Sequence, residues 1–185
     1  EHIQIDIPII TLVAGKKIKF YKNIFGNNIS IIRVMPNTPA SFGKGISAVY
    51  PCKKTKKIDL EKTKKIFTAV GKVITLKQEK QMDIVTAISG SGPAYVFLFI
   101  ENLIKTAINN GLDEKIADIL VKETFLGSSF MASISSKSPG ELRIDVTSPG
   151  GVTEAALKEF NKNSIFKKTI EKAIKSAVKK SITLS

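Results

Sequence analysis

Short apolar runs alternate with amphipathic stretches over the first 77 residues of the chain. The runs have the length and composition of buried β-strands, and they occupy residues 7–13, 29–34, 45–50 and 73–76. Helical patterns fill residues 16–25 and 59–70 between them. Because strands and helices alternate, we predict an α/β layer with parallel strand pairing. Four short strands make only part of a doubly wound sheet.

The pattern changes at residue 78, after which only helical periods remain. The predicted helices cover residues 94–110, 113–134, 152–160 and 164–181, and the last two have lysine-rich outer faces. We therefore predict two domains: an α/β portion at residues 1–77 and an all-helical portion at residues 78–185.

Capping residues mark the expected helix ends. Ser91 and Pro93 suit the cap and first turn of the first long helix, and Asp113 suits the cap of the second. Pro139 interrupts the helical pattern further on. Residues 95–100 are apolar on every face, so we expect this segment to be buried all round. In a small helical domain a second subunit is the simplest source of that cover.

Composition excludes several classes of protein. The chain has 185 residues, of which 43% are hydrophobic, and this suffices for one or two modest domains. We find no secretory pattern and no apolar run near the ~18 residues that span a membrane, so no membrane partner is expected. A single cysteine, Cys52, excludes an internal disulfide and fits a reducing, cytoplasmic location. The only histidine is His2, which argues against histidine metal sites and Ser/His triads.

The net charge of +13 raises the question of nucleic-acid binding. Arginine, which favours bidentate phosphate and base contacts, occurs only at Arg33 and Arg143. The lysines are scattered over several helices, and no aromatic residues interleave them as a stacking platform requires. We therefore expect a solvated lysine surface and no nucleic-acid partner.

The joint "DVTSPGGVTE" (residues 145–154) precedes a helix and carries unusual chemistry. A helix N-terminus has unpaired amides and a partial positive charge, which favour an anion. Gly150 and Gly151 are free to adopt positive φ and let a ligand reach the backbone, while Ser148 and Thr153 add hydroxyls. No lysine or arginine falls between residues 144 and 157, so the joint suits one small carboxylate. The alternative is a plain capping motif between helices.

Three segments together identify a protein family far more specifically than that joint alone. They are "RVMPNTPA" (33–40), "MDIVTAISGSGPAYVFLFIENL" (82–103) and "LRIDVTSPGGVT" (142–153). In this order and spacing they resemble pyrroline-5-carboxylate reductase, over essentially the whole chain. The resemblance implies a Rossmann-type dinucleotide-binding domain followed by a helical domain that forms a homodimer or a higher homo-oligomer. The family's first strand and its Gly-x-Gly-x-x-Gly turn have no counterpart here. We therefore expect residues 1–77 to be the C-terminal part of that domain, with the family's N-terminal portion missing.

The resemblance also implies a reaction and a substrate site. The reaction is hydride transfer from NADPH or NADH to the C=N bond of 1-pyrroline-5-carboxylate, which gives L-proline in proline biosynthesis. The amides of Gly151, Val152 and Thr153 would bind the substrate carboxylate, with Ser148 and the Thr153 hydroxyl as side-chain donors. Thr153 would also face the ring nitrogen, and Glu79 would stabilise the iminium, which makes these two the catalytic candidates. Without the resemblance, Glu79 is equally well an exposed acid at a helix start.

Residues for the cofactor are implied in the same way. Ala14 and Gly15 match a strand end of the family, and Met35, Pro36 and Asn37 should lie by the nicotinamide ribose. Core packing is at least as good an explanation for Met35. Asp145 replaces the usual Asn or Gln beside the cofactor, where a carboxylate repels phosphates, and Ile144 replaces a polar residue.

Two other functions remain open from sequence. One is a catalytically inactive remnant that acts as a helical dimerisation module. The other is a β-hydroxyacid-type dehydrogenase, which is disfavoured because no lysine falls inside either motif of the helical portion. We expect the 185 residues alone to show no NADPH-dependent proline formation, and we expect no metal.

Overall fold

The computed structural model describes residues 7–184; His2 lies outside them. The chain forms two compact units. One contains the residues up to Pro93 together with those from Lys172 on, and the other is Ala94–Glu171. The boundary between these compact units does not lie at residue 77. The domain boundary that the sequence places at residue 77 therefore stays a prediction.

The first unit is built on a four-stranded sheet of order β1-β2-β3-β4. Its strands are β1 (Ile9–Thr11), β2 (Ile31–Met35), β3 (Gly45–Pro51) and β4 (Gly71–Thr75). Helix α1 (Ile18–Phe25) connects the first pair and helix α2 (Lys57–Thr68) the second. The partial doubly wound sheet predicted from the strand and helix periods, which the resemblance implies is Rossmann-type, is confirmed.

The strand pairing departs from the all-parallel prediction at one place. β1–β2 and β3–β4 are parallel, but β2–β3 is antiparallel. The cause is the length of the connection: residues 36–44 hold only a short 3-10 turn, Thr38–Phe42. A parallel pair needs a crossover of a dozen or more residues, usually with a helix, and only the two outer pairs have one.

The core lies on both faces of β2. Ile31 packs with Ile18 and Tyr21 of α1 on one face. Ile32 and its neighbours pack beside α2 on the other. Every residue of β2 is buried, which explains why its residues, apart from Arg33, are apolar at consecutive positions rather than at alternating ones.

The predicted cap at Ser91 is wrong. Helix α3 (Gln81–Val85) passes through a π-turn, Thr86–Gly90, into α4 (Gly92–Asn109) without a break. Ser91 joins the two with right-handed helical backbone angles, and its amide donates to the Thr86 carbonyl at 2.8 Å. Pro93 has no amide hydrogen for the usual bond four residues back, and a widened turn accommodates its ring.

The remaining helices are α5 (Glu114–Ile134), α6 (Pro139–Asp145), α7 (Val152–Asn161) and α8 (Ile165–Thr183). Three of these four were predicted, and the short α6 was not. Asp113 caps α5 as predicted, accepting from the amides of Lys115 and Ile116. Pro139, expected to interrupt the helical pattern, instead begins α6, because the first helical position needs no amide donor.

The start of α6 is fixed by a capping box. The Ser138 hydroxyl accepts from the Glu141 amide, and the Glu141 carboxylate accepts from the Ser138 amide at 2.7 Å. Hydrogen bonds from the Ser138 hydroxyl and amide lower the pKa of Glu141.

Ser138→Ala should lower the free energy of unfolding by about 1 kcal/mol because α6 loses its cap. Glu141 binds its proton less readily in the folded chain than in the unfolded one, so its contribution is present above the unfolded pKa. It is lost as the pH falls through the folded pKa. Urea titrations at several pH values measure both effects. The wild-type advantage over Ser138→Ala should shrink at acid pH, and a constant difference would contradict this assignment.

Large apolar side chains of α4 and α5 are exposed in the single chain. Phe97 is 62% exposed and Leu98 59%, so the segment predicted to be buried all round is not covered by its own chain. The continuous helix Gln81–Asn109 is also long and apolar enough to cross a membrane by length and composition. The expectation that no segment meets that criterion is therefore wrong.

The end of α8 packs within the first unit. The Ser181 hydroxyl donates to Asp83 Oδ1 at 2.7 Å, a contact between residues 98 positions apart. Leu184 lies against Gly15, where an added Cβ would approach the Leu184 Cβ to 2.6 Å. These contacts explain why the last residues belong with the sheet rather than with Ala94–Glu171.

Candidate active site

The glycine pair before α7 forms a tight turn. Gly150 has φ 71°, as predicted for a residue free of a Cβ, but Gly151 has an ordinary φ of −84°. Gly151 is required for a different reason. A Cβ there would lie 2.6 Å from Ser148 Oγ and 3.0 Å from the Ser148 carbonyl oxygen. The second glycine therefore permits a close approach within the turn, not an unusual backbone angle.

Two amides of this turn are used inside the chain. The Gly151 amide donates to the Ser148 carbonyl at 3.1 Å, and the Gly150 amide donates to Glu154 Oε2 at 2.7 Å. The Gly151 amide, predicted to bind a carboxylate, is thus already engaged. Within residues 7–184 the amides of Val152 and Thr153 have no acceptor, and Val152 is 90% exposed. Two of the three predicted main-chain donors are open.

A cleft of about 1130 Å³ opens beside the turn. Gly150, Gly151 and Glu154 form one side of it, and cationic side chains of Arg143 and Lys158 line it as well. Sequence reasoning missed these cations because it counted charges only inside residues 144–157. Helical periodicity was the available signal, since Lys158 follows Glu154 by four positions on α7 and so shares its face. The hydroxyl-bearing residues Ser148 and Thr153 are both exposed.

Asp145 ends α6 with its charge partly neutralised. Its Oδ2 accepts from Lys137 Nζ at 2.7 Å, and both side chains are about half exposed. The neighbouring Ile144 is also exposed. The repulsion of phosphates that the sequence predicts for Asp145 is therefore weakened by a cation that sequence reasoning did not assign.

Glu79 is held in the first unit by two donors. Its Oε1 accepts from Arg33 Nη1 at 2.9 Å and from the Ile18 amide at 2.7 Å. The Arg33 side chain is 5% exposed and that of Glu79 25%. The alternative of a freely exposed acid at a helix start is wrong, because Glu79 caps α1 and pairs with an arginine of β2. Arg33 lies inside a quoted motif, yet its role was not predicted.

The predicted cofactor residues follow the ends of β1 and β2. These strands are parallel, so their carboxyl ends share one edge of the sheet, where dinucleotides bind in open α/β sheets. Ala14 is exposed there, and Pro36 is half-buried. Asn37 Oδ1 accepts from the Ile46 amide at 2.9 Å. Its side chain therefore holds the start of β3.

Two other predicted cofactor residues are buried. Gly15 has φ 78° and packs against Leu184. Met35 is 7% exposed, and its sulfur would lie 3.4 Å from a Cβ built on Gly90 of the π-turn. The structure thus supports the core-packing explanation for Met35.

This edge fits only part of a dinucleotide. Exposed Ala14 and half-buried Pro36 lie at this edge, but residues 7–184 contain no Gly-x-Gly-x-x-Gly turn to hold a pyrophosphate. Glu79 and the strand ends belong to the first unit, whereas Ser148, Thr153 and Asp145 belong to the second. Each half of the candidate site is therefore described by itself.

Comparisons with known proteins agree with the motifs. A family model described as pyrroline-5-carboxylate reductase dimerisation matches residues 79–184. Pyrroline-5-carboxylate reductase 2 of Bacillus subtilis (strain 168) is 38% identical over 176 residues, 95% of this chain and 63% of the relative. The pyrroline-5-carboxylate reductase of Arabidopsis thaliana is 40% identical over 177 residues, 96% of this chain and 63% of the relative. The chain thus spans just under two thirds of the length of these relatives.

Solved structures give the same result. The Plasmodium falciparum pyrroline carboxylate reductase with NADP bound superposes with a TM-score of 0.88 at 38% identity, covering 95% of this chain and 70% of that one. A pyrroline-5-carboxylate reductase from Coxiella burnetii superposes with a TM-score of 0.92 at 35% identity, covering 100% of this chain and 68% of that one. The resemblance inferred from the three segments is confirmed, and the chain belongs to the pyrroline-5-carboxylate reductase family.

Proposed function

We propose that this chain is the larger part of an enzyme that reduces 1-pyrroline-5-carboxylate to L-proline with NADPH or NADH. The observation that carries the proposal is the pair of open amides, Val152 and Thr153, at the start of α7. They stand in a chain of this family, directly after the Ser-Pro-Gly-Gly turn. A small carboxylate is the ligand that such a pair of neutral donors suits.

The substrate carboxylate is held by main-chain hydrogen bonds. The amides of Val152 and Thr153 donate to its oxygens, and the partial positive charge of the α7 N-terminus adds to the attraction. Gly151 keeps the turn closed through its bond to Ser148, which fixes the two open amides in place. The Ser148 hydroxyl is a further donor from the same turn.

The ring nitrogen requires different partners. A protonated imine is the better electrophile, so the site must tolerate a positive charge at that nitrogen. The Thr153 hydroxyl can accept from the nitrogen's hydrogen as well as donate. Glu79 offers a carboxylate whose Oε1 is engaged by Arg33 and the Ile18 amide, which leaves Oε2 as the acceptor for an iminium.

A bound nicotinamide carrier would supply the hydride. Ala14, Gly15, Pro36 and Asn37 would position its nicotinamide end at the shared edge of β1 and β2, with Met35 packed behind them. Asp145 would lie beside the carrier with its charge moderated by Lys137. The Plasmodium falciparum structure, which has NADP bound, supports the choice of a nicotinamide carrier.

A second copy of the chain is the proposed partner. The exposed apolar faces of α4 and α5 would be covered by the same faces of that copy, which agrees with a family model named for dimerisation. This cover also explains the apolar helix Gln81–Asn109 without a membrane. A cytoplasmic homodimer, or a larger assembly of such dimers, is proposed accordingly.

Thr153→Ala in the complete enzyme tests the substrate site. We expect KM for pyrroline-5-carboxylate to rise about fivefold, since one net hydrogen bond is lost, while KM for NADPH stays unchanged. Steady-state rates of NADPH oxidation measure both constants. Thr169→Ala is the matched control, because its hydroxyl bonds only to the Ile165 carbonyl of its own helix. Equal rises in both KM values would contradict the role given to Thr153.

The competing function is an inactive dimerisation module. The exposed apolar faces favour it as much as they favour an enzyme. A complete protein that forms dimers and binds L-proline but does not oxidise NADPH in the presence of pyrroline-5-carboxylate would establish the module instead of the reductase.

A further inference from the structure

Glu154 places a carboxylate inside the turn that is proposed to bind the substrate carboxylate. Its Oε2 accepts from the Gly150 amide at 2.7 Å, and the residue directly follows the open amides of Val152 and Thr153. The helix N-terminus alone favours small anions in general. A fixed negative charge beside the same amides makes the site selective among them.

No contact cancels this charge. Arg143 and Lys158 line the same cleft, but within residues 7–184 no ion pair joins either of them to Glu154. The Gly150 amide is a neutral donor, so it orients the carboxylate without neutralising it. A ligand bound at the Val152 and Thr153 amides therefore experiences the negative charge of Glu154, reduced by solvent, by salt and by the cations that line the cleft.

We propose that Glu154 is a specificity-determining residue that selects ring carboxylates whose ring atom carries a positive charge. The inference rests on the proposed function and deepens it. Pyrroline-5-carboxylate with a protonated imine, and L-proline, each carry one positive and one negative charge close together. In a ligand held at the amides next to Glu154, both charges would lie within a Debye length of about 10 Å from it, so repulsion of the carboxylate would be offset by attraction of the nitrogen. A plain ring carboxylate experiences the repulsion alone.

Charge and shape are separable at this position. Glu154→Gln keeps an oxygen that can accept from the Gly150 amide and removes the negative charge. Glu159→Gln is the matched control, because Glu159 lines the same cleft further along α7 and pairs with Lys162 at 3.5 Å. The two variants lose the same charge at different distances from the open amides.

Calorimetric titration of the chain with two ligands tests the proposal. L-Proline carries the ring ammonium, and tetrahydro-2-furoate has the same ring size and carboxylate with an uncharged ether oxygen. We expect Glu154→Gln to reduce the preference for L-proline by about two- to fivefold, the range of exposed charge interactions. Most of the change should come from tighter tetrahydro-2-furoate binding. The wild-type preference should fall as salt is added, and Glu159→Gln should leave it unchanged.

Three other outcomes would contradict either the selective role of Glu154 or the carboxylate site itself. An unchanged preference in Glu154→Gln overturns the selective role. Equal weakening of both ligands also overturns it, since Glu154 would then act only by shaping the turn. A wild-type chain that binds neither ligand contradicts the carboxylate site of the proposed function, and the selectivity falls with it.

Discussion

Glu79→Ala is expected to lower the free energy of unfolding by about 3–5 kcal/mol, the cost of leaving a buried charge without its partner. The charge left behind is the Arg33 guanidinium, whose side chain is only 5% exposed. The Ile18 amide at the start of α1 loses its acceptor in the same variant. Urea unfolding followed by circular dichroism measures the loss.

Two further variants show whether the lost stability comes from the broken ion pair or from substitution in general. Glu79→Ala combined with Arg33→Met removes both charges and should recover much of the stability, because no unpaired charge remains. Glu61→Ala breaks an exposed pair with Lys64 at 2.9 Å, and it should cost less than about 1 kcal/mol. A loss of that small size for Glu79→Ala would show that Arg33 reaches water when its partner is removed.

Gly151→Val is expected to weaken L-proline binding by about thirtyfold, because two main-chain hydrogen bonds worth about 1 kcal/mol each are lost. A Cβ at this position would lie 3.0 Å from the Ser148 carbonyl oxygen. The serine side chain can rotate away, but the carbonyl is main chain and accepts the Gly151 amide at 3.1 Å. The turn must therefore open, which moves the amides of Val152 and Thr153.

Gly127→Val is the control for this prediction. Gly127 lies on α5 with no atom within 4 Å of an added Cβ, so L-proline affinity should not change. Calorimetry gives the affinity of each variant, and circular dichroism confirms that each is folded. If Gly151→Val is folded and binds L-proline as tightly as wild type, the carboxylate is held elsewhere.

Local features of the fold were predictable from the sequence. β2 was recognisable because a strand covered on both faces is apolar at consecutive positions, here at every position except Arg33. Asp113 was recognisable because a capping side chain bonds to amides two and three residues away. Both signals are contained in a few neighbouring residues, which is why periodicity and capping rules found them.

Contacts between distant residues were not predictable in the same way. The bond between Arg33 and Glu79 joins residues 46 positions apart, and no local pattern records it. The antiparallel pairing of β2 and β3 depends on the length of a connection whose short 3-10 turn was not foreseen. At the Gly150-Gly151 turn, the residue types indicated open main-chain amides, but only the three-dimensional structure shows that the Gly151 amide is used internally.

The hydrogen bond between Ser181 and Asp83 has a consequence for synthesis of the chain. Because its partners are 98 positions apart, the unit that contains the sheet lacks its last packing element until α8 has left the ribosome. Domains generally fold as units during synthesis, N-terminal ones first. Here the sheet emerges before α8, so part of its surface stays uncovered while the helices between them are being made.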